Sequence, residues 1–92
     1  MSVYYHAPTH NRRRGPKCFR DRVFTHLTAD TESELVRFAT KRLRMRAKRL
    51  QQQGTPRFHF DVTGTKLAFL LLCTDAEEVS REEFVRRMRA RM

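Results

Sequence analysis

Two spacings fix where helices can begin in this chain, and with them most of what it can fold into. Thr31-Glu32-Ser33-Glu34 and Ser80-Arg81-Glu82-Glu83 each place a hydroxyl residue three positions before a glutamate. This is the capping-box arrangement: the hydroxyl takes the free amide three residues on, and the carboxylate returns to the cap amide. Each box follows a short segment of strand character. Val23 to Ala29 can put Val23, Thr25, Leu27 and Ala29 on one face and Phe24, His26 and Thr28 on the other, and Ala76 to Val79 leads directly into Ser80. Strand followed at once by capped helix, twice in one short chain, requires a sheet with helices laid against it.

The rest of the sequence fills in that frame. Val3, Tyr4 and Tyr5 have strand propensity, whereas His6 to Arg22 carries Pro8, Gly15, Pro16 and six basic residues with little to bury, and reads as a mobile basic loop or arm. Leu35, Phe38, Ala39, Leu43, Ala47 and Leu50 keep helical spacing, so the first helix is expected to run to about Leu50, before the linker Gln51-Gln52-Gln53-Gly54-Thr55-Pro56. Arg37, Lys41, Arg44 and Lys48 would then form a solvated stripe. Arg42, Arg46 and Arg49 fall inside the apolar arc, so either the helix breaks near Arg44 or these guanidiniums snorkel past its edge. Phe58 to Val62 reads as a short strand ending at Thr63-Gly64-Thr65. Lys66 to Cys73 reads as a short buried helix; its run Leu67 to Leu72 has no polar face, so both sides must meet protein or a partner chain. The expected order is strand, loop, strand, helix, strand, helix, strand, helix. It implies an α/β fold, with α+β as the alternative: a small sheet of three to four short strands covered by about three helices, in a single domain over residues 1–92.

Composition bounds the partners. With 92 residues, 39% of them hydrophobic and seven of them Phe, the chain has a thin core that needs no metal or disulfide to fold. Its net charge is +10, and sixteen of its twenty basic residues are Arg. Guanidinium forks fit phosphate bidentately, so this excess favours a polyanionic partner over mere solubility; a coding bias toward Arg is the bland alternative. Cys18 and Cys73 form no C-x-x-C unit, which suits a reducing compartment. The longest apolar stretch, Leu67 to Cys73, is far short of the roughly 20 residues of a membrane span, and no charged-then-apolar leader opens the chain. A soluble, cytoplasmic protein without membrane partners is expected. No P-loop, G-x-G-x-x-G, G-x-S-x-G or H-E-x-x-H occurs, so nucleotide-dependent and familiar hydrolase chemistries find no support.

Two segments could carry chemistry. His26-Leu27-Thr28-Ala29-Asp30 and His59-Phe60-Asp61, with Lys66 five residues on, each place a histidine and an aspartate at a strand end. If the two strands are neighbours, His26, His59 and one aspartate meet. Such a set could orient a water or hold a metal, and Lys66 could neutralise a phosphate. The competing structural reading makes Asp30 and Asp61 helix caps. His6, His10, Cys18 and His26 match no standard zinc spacing, and no metal or cofactor is expected.

These residues also carry a resemblance. From about Phe24 onward, HLTADTESEL (His26 to Leu35) with Phe38-Ala39, HFDVTGTK (His59 to Lys66) and AEEVS (Ala76 to Ser80) before a closing basic helix resemble the bacterial and phage family named domain of unknown function 4031. The resemblance implies a compact α/β fold, draws attention to His26, Asp30, His59, Asp61 and Lys66, and implies no activity. The chain departs from the family pattern in three places. Tyr5-His6 stands where the family has two aspartates, a glycine after the first helix core is replaced near Arg44, and a glycine around Asp75 is missing. The basic segment from His6 to Arg22 reads as an elaboration of this member.

Three functions follow as expectations. The first is a non-enzymatic accessory protein gripping nucleic-acid phosphates through Arg12, Arg13, Arg14, Lys17, Arg20, Arg22, Lys41, Arg44 and Lys48. The second is a phage-type interaction or inhibitor protein that docks on an acidic protein or host nucleoprotein through the apolar helix, or forms a homodimer. The third is a phosphodiester- or nucleotide-acting enzyme using His26 and His59 as base and acid.

Overall fold

The computed structural model describes residues 3–11 and 22–91. Strand β3 (Arg22–Ala29) is the spine of an α+β fold and pairs on both sides. Along one side lie β1 (Val3–His6) and β2 (Thr9–Asn11), end to end and antiparallel to it; along the other lies β4 (Phe60–Thr63), also antiparallel. Strand β5 (Ala76–Val79) closes the sheet by pairing parallel to β1. The five strands thus make a mixed sheet four strands wide. Helix α1 (Glu32–Lys41) follows β3, α2 (Gly64–Leu72) follows β4 and α3 (Arg81–Ala90) follows β5.

Strand alternation sorts side chains onto two faces. Val3, Tyr5, Leu27, Ala29, Phe60 and Val62 point to one face and meet Leu35, Phe38 and Ala39 of α1 and Leu67 and Leu70 of α2. Tyr4 and Val79 point to the other and meet Phe84 and Met88 of α3. Fully burying a Leu or Phe side chain contributes about 1.5–3 kcal/mol, so the larger cluster carries most of the stability. Arg91 fastens the end of α3 to the spine: its guanidinium donates to the Thr28 hydroxyl and the Ala29 carbonyl and stacks 4.1 Å over the Phe58 ring.

Both capping boxes form their main bond. Thr31 Oγ accepts from the Glu34 amide at 3.2 Å, and Ser80 Oγ from the Glu83 amide at 3.1 Å. The Glu34 carboxylate turns to the Thr31 hydroxyl instead of the cap amide.

Three expectations need correction. The segment after His6 is not all loop, because β2 occupies Thr9–Asn11. Pro8 kinks the chain without ending its pairing: His6, Ala7 and Pro8 oppose only Thr25 and His26, a bulge that absorbs the proline's missing amide. The first helix ends at Lys41, not Leu50. Arg44 adopts φ 57°, the chain turns, and Ala47–Arg49 forms only a short 3-10 turn. The break near Arg44 is therefore the alternative realised. Finally, α2 is buried on one side only: Leu67 and Leu70 enter the core while Phe69, Leu71 and Leu72 are exposed, Leu72 by 81%.

Candidate functional site

The register of β3 and β4 sets His26 directly opposite Asp61. Residues directly opposite share a face, so both side chains project from the α3 side of the sheet. His59 lies two residues before Asp61, on the same face, and is held there by a bridge in which its backbone exchanges hydrogen bonds with Gln51. His6, at the bulge, brings a third imidazole. The rings of His6 and His26 and those of His26 and His59 stand edge to face at 5.1 Å, and Phe84 of α3 packs on His6.

Hydrogen-bond partners determine where the ring protons sit. His6 Nδ1 faces the Ala7 carbonyl oxygen at 2.8 Å and must donate to it. His6 Nε2 accepts from the His26 backbone amide at 3.2 Å, so it carries no proton. His26 Nδ1, 2.9 Å from that same nitrogen, must then be the donor. His59 Nδ1 donates to the Arg57 carbonyl at 2.9 Å. In their neutral forms His26 and His59 therefore both present a bare Nε2, and these two atoms stand 3.4 and 3.5 Å from Asp61 Oδ1. Asp61 Oδ2 accepts from Gln51 Nε2 at 2.6 Å, whereas the buried Oδ1 has no hydrogen-bond donor.

The electrostatics follow. Burial lowers the pKa of His26, aided by the neighbouring His59 and His6 and opposed by Asp61. Burial acts the same way on His59, but contact with Asp61 and the bond to the Arg57 carbonyl outweigh it and raise its pKa. Burial would raise Asp61, yet His59, His26 and Gln51 hold it below the usual carboxylate range. Contact between the two thus favours the charged forms of both Asp61 and His59.

A second feature adjoins the first. Arg44, Met45, Arg46, Arg49, Thr63, Lys66 and Asp61 line a groove of about 350 Å3. Arg44 stands in the turn after α1, Arg46 and Arg49 flank and end the 3-10 turn, and Lys66 lies in the first turn of α2, donating from Nζ to the Arg44 carbonyl at 3.3 Å.

The sequence candidates divide accordingly. His26, His59 and Asp61 come together, with Lys66 in the adjoining groove. Asp30 does not join them; it is exposed beside the start of α1, where Thr31 is the cap. Asp61 does not cap α2 either, because both its oxygens face β3 and Gln51, and Thr63 at the cap position makes no side-chain cap bond. Lys41 lies at the end of α1 and Lys48 in the 3-10 turn, so with Arg44 they form no stripe. Arg12, Arg13, Arg14, Lys17, Cys18 and Arg20 lie outside the described residues, as do the side chains of His10 and Arg22. Sequence patterns gave no sign of Gln51 as a site residue, and they aimed Arg46 and Arg49 at a cleft only as guanidiniums snorkelling from a continuous helix. The last two fall within an apolar arc that exists only if the helix continues.

None of the curated proteins and none of the solved structures compared matches the chain. The sequence model of one family, described as "Protein of unknown function (DUF4031)", matches residues 14–91. The match includes part of the basic segment that reads as an elaboration, and it takes in His26, His59 and Asp61 while beginning after His6. By that match over most of its length, this chain belongs to the DUF4031 family.

Proposed function

We propose that this chain binds a phosphate-bearing polyanion, nucleic acid first, and that the groove between the turn after α1 and the start of α2 is a principal contact. The observation that carries this reading is the meeting of Arg44, Arg46, Arg49 and Lys66 around one groove. Among the described residues none of the four makes an ion pair, whereas Arg42, Arg86 and Arg87 are matched to Asp75, Glu83 and Glu77. Four unmatched cations from separate stretches of chain repel one another, and a row of phosphates relieves that repulsion while releasing counterions.

The test is fluorescence anisotropy of labelled single- and double-stranded DNA and RNA at roughly 50 and 200 mM salt. Affinity is expected to fall steeply with salt and to depend little on base sequence. Replacing Arg44, Arg46, Arg49 and Lys66 by Gln should flatten the salt dependence by about 0.9 in log–log slope for each phosphate that is no longer neutralised. A flat response in the native chain, or a variant that binds as well as the native chain, overturns the reading.

A second reading, chemistry on a phosphodiester, is favoured by the convergence of His26, His59 and Asp61 next to that groove. Under it, replacing both histidines by Ala abolishes turnover of a phosphodiester substrate and leaves binding in place. Turnover that survives the double replacement removes it.

A further inference from the structure

We infer that His26 Nε2, His59 Nε2 and Asp61 Oδ1 form a mononuclear site for a divalent transition-metal ion of the zinc type, oriented by His6, Arg57 and Gln51. This goes beyond the polyanion reading and does not depend on it.

Four observations carry the inference. The first is protonation: the outer nitrogen of each ring is committed as a donor, to His6 for His26 and to a carbonyl for His59, which leaves the inner nitrogens as lone pairs. Metal-bound histidines are held in this way, with the far nitrogen donating to a fixed acceptor. The second is spacing. All the donor atoms lie within 4.8 Å of one another. The two nitrogen-to-oxygen separations, 3.4 and 3.5 Å, are long for a hydrogen bond but match the edge of a tetrahedron with bonds of about 2.0 to 2.2 Å, which is about 3.3 to 3.6 Å.

The third is Asp61 Oδ1 itself, buried and without a donor while its sister oxygen is fixed at 2.6 Å by Gln51. With both rings neutral, three lone-pair atoms face one another with no proton between them, an arrangement that a bound cation relieves. The fourth is rigidity. His26 and Asp61 are register partners on paired strands, His59 is bridged to Gln51, and the register of β1 against β3 sets His6 opposite His26. No loop has to close for the donors to meet.

The donor set also selects the ion. Two imidazoles with one carboxylate suit zinc, cobalt or iron, whereas magnesium and calcium prefer six or more oxygens. Three protein ligands leave a fourth tetrahedral position, and the exposure of His26 and Asp61, 39% and 30% of their side chains, opens it to solvent.

The experiment is titration of the chelator-treated full chain with Co2+ and Zn2+ at neutral pH, by calorimetry and visible absorption. The expected result is one ion per chain with a tetrahedral Co2+ spectrum, and no competition from Mg2+. Asp61→Asn keeps the shape and the bond to Gln51, and should weaken binding at least about 10-fold while the circular dichroism melt stays cooperative. His6→Phe tests orientation: imidazole 15N shifts should show the His26 proton no longer confined to Nδ1, a change that altered packing alone would not produce. No binding at roughly 1 mM ion, or undiminished binding by Asp61→Asn, overturns the site. Imidazole 15N spectra in which Zn2+ leaves both the His26 and His59 Nε2 signals unmoved overturn it as well.

Discussion

Arg44 is the residue at which sequence, backbone and charge conflict most plainly. Its φ of 57° lies in the left-handed region, which costs a residue with a Cβ about 1–2 kcal/mol, and a glycine there would carry no such penalty. Glycine also gives up more backbone freedom on folding, so Arg44→Gly should raise stability by no more than about 1 kcal/mol, read from denaturant midpoints. The same change removes one of the four groove cations and should weaken polyanion binding in the anisotropy assay. Greater stability with weaker binding would show that the guanidinium serves the groove and not the fold. The family resemblance marks this position too, since its pattern carries a glycine near here. The meaning of that departure is invisible in the sequence, because Arg44 falls on a polar stripe when the helix is drawn straight through.

Among the elements, α3 shows how a helix dense in arginine is held in place. Glu83 receives Arg86 at 2.6 Å and Arg87 at 2.9 Å, and Arg87 reaches across to Glu77 of β5 at 3.3 Å. These bonds lower the Glu83 pKa from 4.5 to about 2. A carboxyl whose folded pKa is depressed contributes stability that is complete above its unfolded value and disappears as pH falls through the folded one. Between pH 4.5 and about 2, then, Glu83 makes the native chain lose stability on acidification. In Glu83→Gln that part of the decline is expected to vanish, so thermal midpoints across this window should fall less steeply than in the native chain. The sequence supplies the cap at Ser80 and places cations by the helix end. It cannot show that two of them also reach groups elsewhere in the fold, as Arg87 and Arg91 do.

Across the full thickness of the protein, the two sides of the sheet are unequal. One side holds the large apolar cluster under α1 and α2; the other holds α3, the smaller cluster and the histidines. Phe60, with no exposed surface, belongs to the first, and Phe60→Ala should cost about 3–5 kcal/mol. Leu72 belongs to neither. At 81% exposure its replacement by Ser should change stability by less than about 0.5 kcal/mol, although it lies in the most apolar stretch of the sequence. Chemical denaturation of the two variants side by side checks this contrast. No helix among the described residues is long and apolar enough to cross a membrane.

The features legible without a fold are local ones. A hydroxyl three residues before a glutamate starts a helix at both places where it occurs after a strand, and alternating residues of Val23 to Ala29 take opposite faces because the strand repeat is two. Both signals need only a few neighbouring residues. Everything that depends on which strand lies beside which came from the packing of distant segments. His26 meets Asp61 and not Asp30 because β3 and β4 pair in a register that sets residues 26 and 61 opposite, and a slip of one residue would have turned Asp61 to the other face. His6 joins them because the antiparallel register of β1 and β3, carried one residue past Tyr5 and Leu27, sets it opposite His26. The end of α1 was settled in the same way: helical spacing persists to Leu50, but Leu43 reaches the core from beyond the helix and Met45 turns its amide back to Ala39, so packing overrides the periodicity.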